Sequence, residues 1–114
     1  MLPRKYRITN GIDFDRLFQK GDLRSHPLFY LKFLPNNLTY SRFGFAVGVK
    51  LFKKAVKRNR VKRLMRELIR LNIVKIRSGY DIIVGAKSQK LYGIKYLEAE
   101  KLLLLFLSNN KFLK

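Results

Sequence analysis

Hydrophobic positions along this chain change period several times, and each change predicts an element. Phe14, Leu17 and Phe18 stand at i, i+3 and i+4, behind Thr9-Asn10 as a cap and ahead of Gly21 as a stop, which predicts a short helix. About ten residues are marginal as an isolated helix, so it must dock. Its two phenylalanines on one stripe read as core rather than as a binding platform. After Gly21 the period becomes two: Leu28, Tyr30 and Lys32 point one way, and Phe29, Leu31 and Phe33 the other, which predicts a strand closed by Pro35-Asn36-Asn37. Residues 40–49 predict a second strand, with Phe43, Phe45, Val47 and Val49 on one face. Arg42, Gly44, Ala46 and Gly48 form the other, an open and shallow surface. A short segment around Leu23 adds an edge strand.

Between Lys53 and Arg70 the period is helical. Taken at roughly 100° per residue, Val61, Leu64, Met65, Leu68 and Leu71 make one apolar stripe fit to lie on a core. Ser78-Gly79 then turns the chain into Tyr80-Asp81-Ile82-Ile83-Val84-Gly85-Ala86, apolar enough for an interior strand. Strand, crossover helix and returning strand suggest a βαβ unit with two parallel strands, hence an α+β fold. Lys90 to Lys95 is a polar connection, and Tyr96 to Leu107 reads as a last helix packed on the sheet. The arm Leu2 to Arg7, with Arg4, Lys5 and Arg7, has little to bury and reads as a segment lying loosely on the surface or on the partner, or as a frayed end. The tail Ser108 to Lys114 reads as frayed.

Charge changes the picture most at the central helix. Residues 53–70 hold nine of the chain's 26 Lys and Arg against one acid, Glu67. Lys62, Arg66 and Arg70 stack as one row, with Arg63 and Arg60 continuing the arc. Like charges four apart oppose a helix by about 0.2–0.5 kcal/mol each, so this face is a solvated one or it meets a polyanion. Surfaces kept only for solubility mix both signs, which favours the polyanion. The net charge of +19 over 114 residues and a pI near 10.7 extend that footprint to the whole surface. With 47% hydrophobic and 13% aromatic residues the chain is one folded domain, residues 1–114. The absence of cysteine suits a reducing cytosol. The longest apolar run, Leu102 to Leu107, is far short of the roughly 20 residues of a membrane helix, and no export signal is visible.

Candidate catalytic chemistry is sparse. The seven acids are Asp13, Asp15, Asp22, Asp81, Glu67, Glu98 and Glu100, and a hydrolytic or two-metal site needs two of them to converge. Asp13 and Asp15, two apart on a helix, face different ways. His26, the lone histidine, precedes Pro27 in a loop. Neither a phosphate-binding glycine loop nor a nucleophile motif is present. If chemistry happens here, another molecule performs it.

Ala55-Val56-Lys57-Arg58-Asn59-Arg60-Val61-Lys62-Arg63-Leu64-Met65-Arg66-Glu67 resembles A-x-x-R-N-R-x-K-R-x-x-R-E, the signature of the bacterial ribonuclease P protein subunit. Asp13-Phe14-x-x-Leu17-Phe18-x-x-Gly21, Arg42-Phe43-Gly44 and Tyr80-Asp81-Ile82-Ile83-Val84 are similar to its first helix, central strand and last strand. The resemblance implies a single α+β domain in α-β-β-β-α-β-α order, a small sheet packed by helices with a left-handed βαβ crossover (ribosomal protein S5 domain 2-like), against the usual right-handed rule. It implies a protein component of an endoribonuclease whose RNA subunit removes the 5′ leader of precursor tRNA, with Mg²⁺ held mainly by RNA subunit and substrate. No catalytic residue or metal ligand would lie in this chain. Lys54, Arg58, Asn59, Arg60 and Arg63 would face the RNA subunit. Phe14, Phe18, Tyr30, Lys32, Lys62 and Arg66 would line the cleft for the single-stranded leader. Cationic grooves with stacking rings hold single strands without reading sequence. The setting would be cytoplasmic, with no membrane and no further protein partner. Two departures stand out: Val49 precedes Lys50 where the family often has two lysines, and Lys32 stands where an aromatic is common, so a phosphate contact replaces part of the stacking floor. The rival readings are a small ribosomal-type structural RNA-binding protein, which would not need this cleft, and a DNA-binding protein whose helix reads a major groove.

Overall fold

Four short strands carry the alternating segments and pair into one mixed sheet of order β1-β2-β4-β3. The computed structural model describes residues 2–114, leaving Met1 outside. The strands are β1 (Asp22–Ser25), β2 (Phe29–Pro35), β3 (Arg42–Ala46) and β4 (Tyr80–Ala86). β4 lies between β2, antiparallel from Phe29↔Ala86 to Pro35↔Tyr80, and β3, parallel from Arg42↔Asp81 to Ala46↔Gly85. Helix α1 (Gly11–Lys20) precedes the sheet, α2 (Ala55–Asn72) connects β3 to β4, and α3 (Tyr96–Asn109) closes the chain. This is the α-β-β-β-α-β-α order expected. Among the described residues no helix is long and apolar enough to cross a membrane.

The two faces of the sheet differ. On one, Phe29, Leu31, Phe43, Ile82 and Val84 meet Val61, Met65, Leu68 and Ile69 of α2 and Leu103, Phe106 and Leu107 of α3 in the main core. Each such side chain taken from water contributes about 1.5–3 kcal/mol. On the other, α1 lies over β2 and β4, and Leu17 and Ile83 are buried outside the main cluster. The Asn10 side chain accepts the Ile12 N–H at 2.8 Å and starts α1. Gly21 ends it at φ −68°, so its role is close approach rather than a left-handed turn. A Cβ there would stand 2.6 Å from the Leu17 carbonyl and 3.2 Å from the Phe33 amide.

Several expectations are corrected. The N-terminal arm is pinned, because Leu2 is fully buried, Arg7 pairs with Phe43 and the Ile8 N–H donates to the Phe43 carbonyl at 2.9 Å. The arm thus covers the outer edge of β3, whose backbone groups would otherwise lack partners. The tail is held as well. Phe112 is buried with its ring 4.7 Å from Phe33, the Arg77 N–H donates to the Phe112 carbonyl at 2.7 Å, and the Lys114 N–H to the Lys75 carbonyl at 2.9 Å. The strand expected over residues 40–49 runs only from Arg42 to Ala46, ending opposite Gly85 one residue before β4 itself ends, and Val49 sits 63% exposed in the following turn.

The seam of α2 is rotated from the expected stripe. It runs through Val61, Met65, Leu68, Ile69 and Asn72, leaving Leu71 51% exposed and Leu64 at the rim. The cause is α3, which packs on that flank and supplies Glu100 to the Asn72 amide at 2.9 Å. Glu100 also accepts from the Tyr96 hydroxyl at 3.1 Å. Burial, then this hydrogen bond, pushes the Tyr96 phenol up to about 12. The neutral phenol is the form the fold favours, so its contribution is complete below pH 10 and is lost as pH rises from 10 through 12.

Both ends therefore act as core. Leu2→Ala is expected to cost about 2–5 kcal/mol and Phe112→Ala about 3–5 kcal/mol in urea unfolding; losses under about 0.5 kcal/mol, typical of surface sites, would mark the ends as frayed. Tyr96→Phe is expected to flatten the fall in urea midpoint between pH 10 and 12, and an unchanged alkaline limb would show that the phenol does not titrate there.

Candidate nucleic-acid interface

The basic helix divides its cations between two edges. On one, Lys62, Arg66 and Arg70 follow each other at four-residue spacing, but Arg70 donates to both Glu67 oxygens, at 3.0 and 2.8 Å. The guanidinium holds the Glu67 carboxyl below its usual range and is itself pushed up by it. Among the described residues no carboxylate lies in ion-pair range of Lys62 or Arg66. Arg66 reaches over β3, its guanidinium 6.0 Å from the Phe45 ring. It lines a cavity of about 250 Å³ with Arg7, Phe14, Gly44 and Phe45.

Phe14 continues this surface along α1. Its ring stacks on Phe18 with centroids 6.3 Å apart and planes at 16°. The pair is a platform rather than core, since Leu17 carries the buried side of the helix and Phe18 stays 41% exposed. Lys32, below on β2, places its ammonium 4.0 Å from the Phe18 ring centre and donates to the Phe18 carbonyl, where a cation complements the helix C-terminus. Tyr30 and Lys32 line a second cavity of about 320 Å³ with Phe18, Leu23, Ser25 and Lys87. Burial pushes the Tyr30 hydroxyl up.

Glycines seat these rings. A Cβ at Gly85 would stand 1.9 Å from the Tyr30 ring, and one at Gly44 would stand 3.0 Å from Phe14. The small-residue face of β3 is therefore not the open surface expected: Gly44 is buried beneath Phe14, and only Gly48 is exposed. Phe14 and Arg66 thus line one cavity and Phe18, Tyr30 and Lys32 a second, the stacked rings of Phe14 and Phe18 joining the two into a groove, with Lys62 one turn away from Arg66 on α2.

Residues expected to face an RNA subunit run from the start of α2 to its middle. Asn59, Arg60 and Arg63 are exposed. Arg60 sits 5.1 Å from the Tyr92 ring. Lys54 lines a cavity with Lys50, Lys53, Lys57 and Tyr92. Arg58 has a structural duty too, as its Nη1 donates to the Phe52 and Lys53 carbonyls, both at 2.8 Å, and ties the preceding turn to the helix. His26 is structural: its Nδ1 accepts the Leu28 N–H at 3.0 Å and its ring lies 5.1 Å from Phe106. Burial, then Lys87, lowers its pKa.

Two carboxylates do converge, which the sequence did not suggest. Arg42 donates to both oxygens of Asp81, at 2.9 and 2.6 Å, and lies 3.7 Å from Asp13. Asn36 adds a bond to Asp81 at 2.9 Å. Both acids face a guanidinium, which is pushed up chiefly by the Asp81 hydrogen bonds. Sequence reading missed Phe45, Gly85, Lys87 and Tyr92 in these surfaces and had Arg7 only within a loose basic arm. Only Gly85, a glycine inside a β-branched run, carried a local signal.

Comparison with known proteins identifies the family. The Ribonuclease P family model matches residues 2–108. The ribonuclease P protein component of Fusobacterium nucleatum is 42% identical over 105 residues, 90% of this chain and 93% of that protein. The solved RNase P protein of Staphylococcus aureus superposes with a TM-score of 0.80 at 31% identity, covering 96% of this chain and 98% of that one. That of Thermotoga maritima gives 0.79 at 32% identity, covering 90% and 96%. Sequence and fold converge, and the chain belongs to the bacterial ribonuclease P protein family.

Proposed function

We propose that this chain binds the catalytic RNA of ribonuclease P and the single-stranded 5′ leader of precursor tRNA, and so assists RNA-catalysed removal of the leader. The observation that carries the reading is the Phe14–Phe18 stack, which joins the cavity beside Arg66 to the one beside Tyr30 and Lys32. Rings offer faces to unstacked bases and cations hold the phosphates, a combination suited to single strands of any sequence. A binder of continuous duplex has no use for the rings. Leaders differ between tRNAs, so a groove without base-edge contacts accepts them all.

The RNA subunit occupies the exposed end of α2, through Lys54, Arg58, Asn59, Arg60 and Arg63. Mg²⁺ supplies charge stabilisation and an activated water in such phosphodiester hydrolysis. This chain is poorly suited to hold it, because Asp81 presents its oxygens to Arg42 and Asn36, and Asp13 faces the same guanidinium. In this reading the metal sits on the RNA and substrate, and the protein positions the leader beside it. A cytoplasmic location is part of the same proposal.

Arg60→Ala with Arg63→Ala is expected to weaken association with the RNA subunit and to lower the log–log salt slope by about one per lost phosphate contact. An unchanged slope in the folded double variant would count against that surface. Phe18→Ala is expected to lose about 1–3 kcal/mol of affinity for precursor tRNA, Lys62→Ala a smaller amount, and both far less for mature tRNA. Gly85→Ala, whose methyl displaces the Tyr30 ring, is expected to fold and to show the same selective loss. Equal losses for precursor and mature tRNA would remove the leader groove.

A further inference from the structure

A third cavity, of about 400 Å³, opens where the turn before α2 meets the Gln89–Leu91 turn before α3. That volume lies within the roughly 300–1,000 Å³ typical of small-ligand sites. Its cationic lining is Lys50, Lys53, Lys54 and Lys57, its walls include Phe52 and Tyr92, and none of the seven acids borders it. Four ammonium groups gathered without a counter-charge raise the potential inside a concave wall and attract an anion.

The cavity is held in shape from several sides. Gln89 donates to the Leu51 carbonyl at 2.9 Å, and Arg58 grips the carbonyls of Phe52 and Lys53. Phe52 supports Tyr92 at 6.1 Å between centroids. The Tyr92 ring remains 38% exposed, flanked by Lys57 at 5.2 Å and Arg60 at 5.1 Å. Both cations end flexible stems that can move from the ring to an arriving phosphate.

We propose that this cavity receives one unpaired nucleotide of the RNA partner, its base against Tyr92 and its phosphate among Lys50, Lys53, Lys54 and Lys57. The inference rests on the RNA-binding reading above and adds a point of recognition to it. A bare phosphate would leave the ring and the apolar wall without a role, whereas a stacked duplex base cannot enter a concave pocket. The nucleotide therefore comes from a bulge, loop or end. The pocket is separate from the leader groove, since Lys57 and Arg66 are about 14 Å apart along α2 at 1.5 Å per residue.

The test measures association of the full chain with the catalytic RNA subunit across a salt series. Tyr92→Leu, which keeps bulk over Phe52, is expected to weaken association about 5- to 140-fold, the loss of one stacked base, with an unchanged salt slope. Tyr92→Phe, which restores the ring, is expected to recover the affinity. Lys53→Ala and Lys57→Ala are each expected to lower the slope by about one. Parental affinity in Tyr92→Leu, or equal losses in Tyr92→Leu and Tyr92→Phe, overturns the proposal while leaving the wider RNA surface in place. Absence of any binding by the parent chain overturns both. Adenosine 5′-monophosphate, titrated onto the full chain with the Tyr92 ring followed by NMR, separates the two sources of nucleotide. A shifted ring beside an unaffected Tyr92→Leu assembly identifies a free-nucleotide site and overturns the RNA-borne one.

Discussion

The structure depends on the burial of one side of α2 against the repulsion of its own charges. Like-charged neighbours three and four apart each oppose the helix by a few tenths of a kcal/mol. Val61, Met65, Leu68 and Ile69, all nearly inaccessible, each favour it by about 1.5–3 kcal/mol. Packing wins, and the cations are carried outward as a consequence. The helix is therefore a tertiary product, stable because a sheet and α3 stand beneath it, and it displays a cationic surface that would not persist in an isolated peptide.

The sheet beneath separates two duties. Its α2/α3 face is apolar and supplies stability. Its α1 face carries a small buried patch at Leu17 and Ile83 and otherwise seats rings and charges. Glycine at 44 and 85 makes room for Phe14 and Tyr30, and Lys32 joins β2 to the end of α1. Arg42, held by Asp81 on the neighbouring strand and near Asp13 on α1, fixes the height of the helix over the sheet. The ring-bearing side of the groove is thus braced by contacts within the protein. A preorganised surface loses less side-chain freedom on binding than one that must order itself.

The same logic accounts for the chain ends. A four-stranded sheet leaves two edges, and the β3 edge lies beside the groove. Arg7 and Ile8 pair with Phe43 there, so the arm both closes an edge and contributes Arg7 to the groove wall. At the far end Phe112 packs against Phe33 and Tyr80 and caps the core below α3.

What the sequence by itself determined was the set of elements, their order, the basic helix, and the family to which the RNR-containing segment points, because these rest on local periods of two and 3.6 and on a contiguous motif. It also placed Phe14 and Phe18 on one stripe of α1. It did not determine which α2 residues face inward, since α3 rotates the seam to Ile69 and Asn72, nor that Leu2 and Phe112 are core, since a short terminal segment has no period to show. Only the tertiary structure decided that the phenylalanines form a platform, that glycines at 44 and 85 seat aromatic rings, and that Tyr92 meets Lys57 and Arg60. Each of these is a contact between residues distant in the chain, and such contacts exist only once the sheet register has been set by packing.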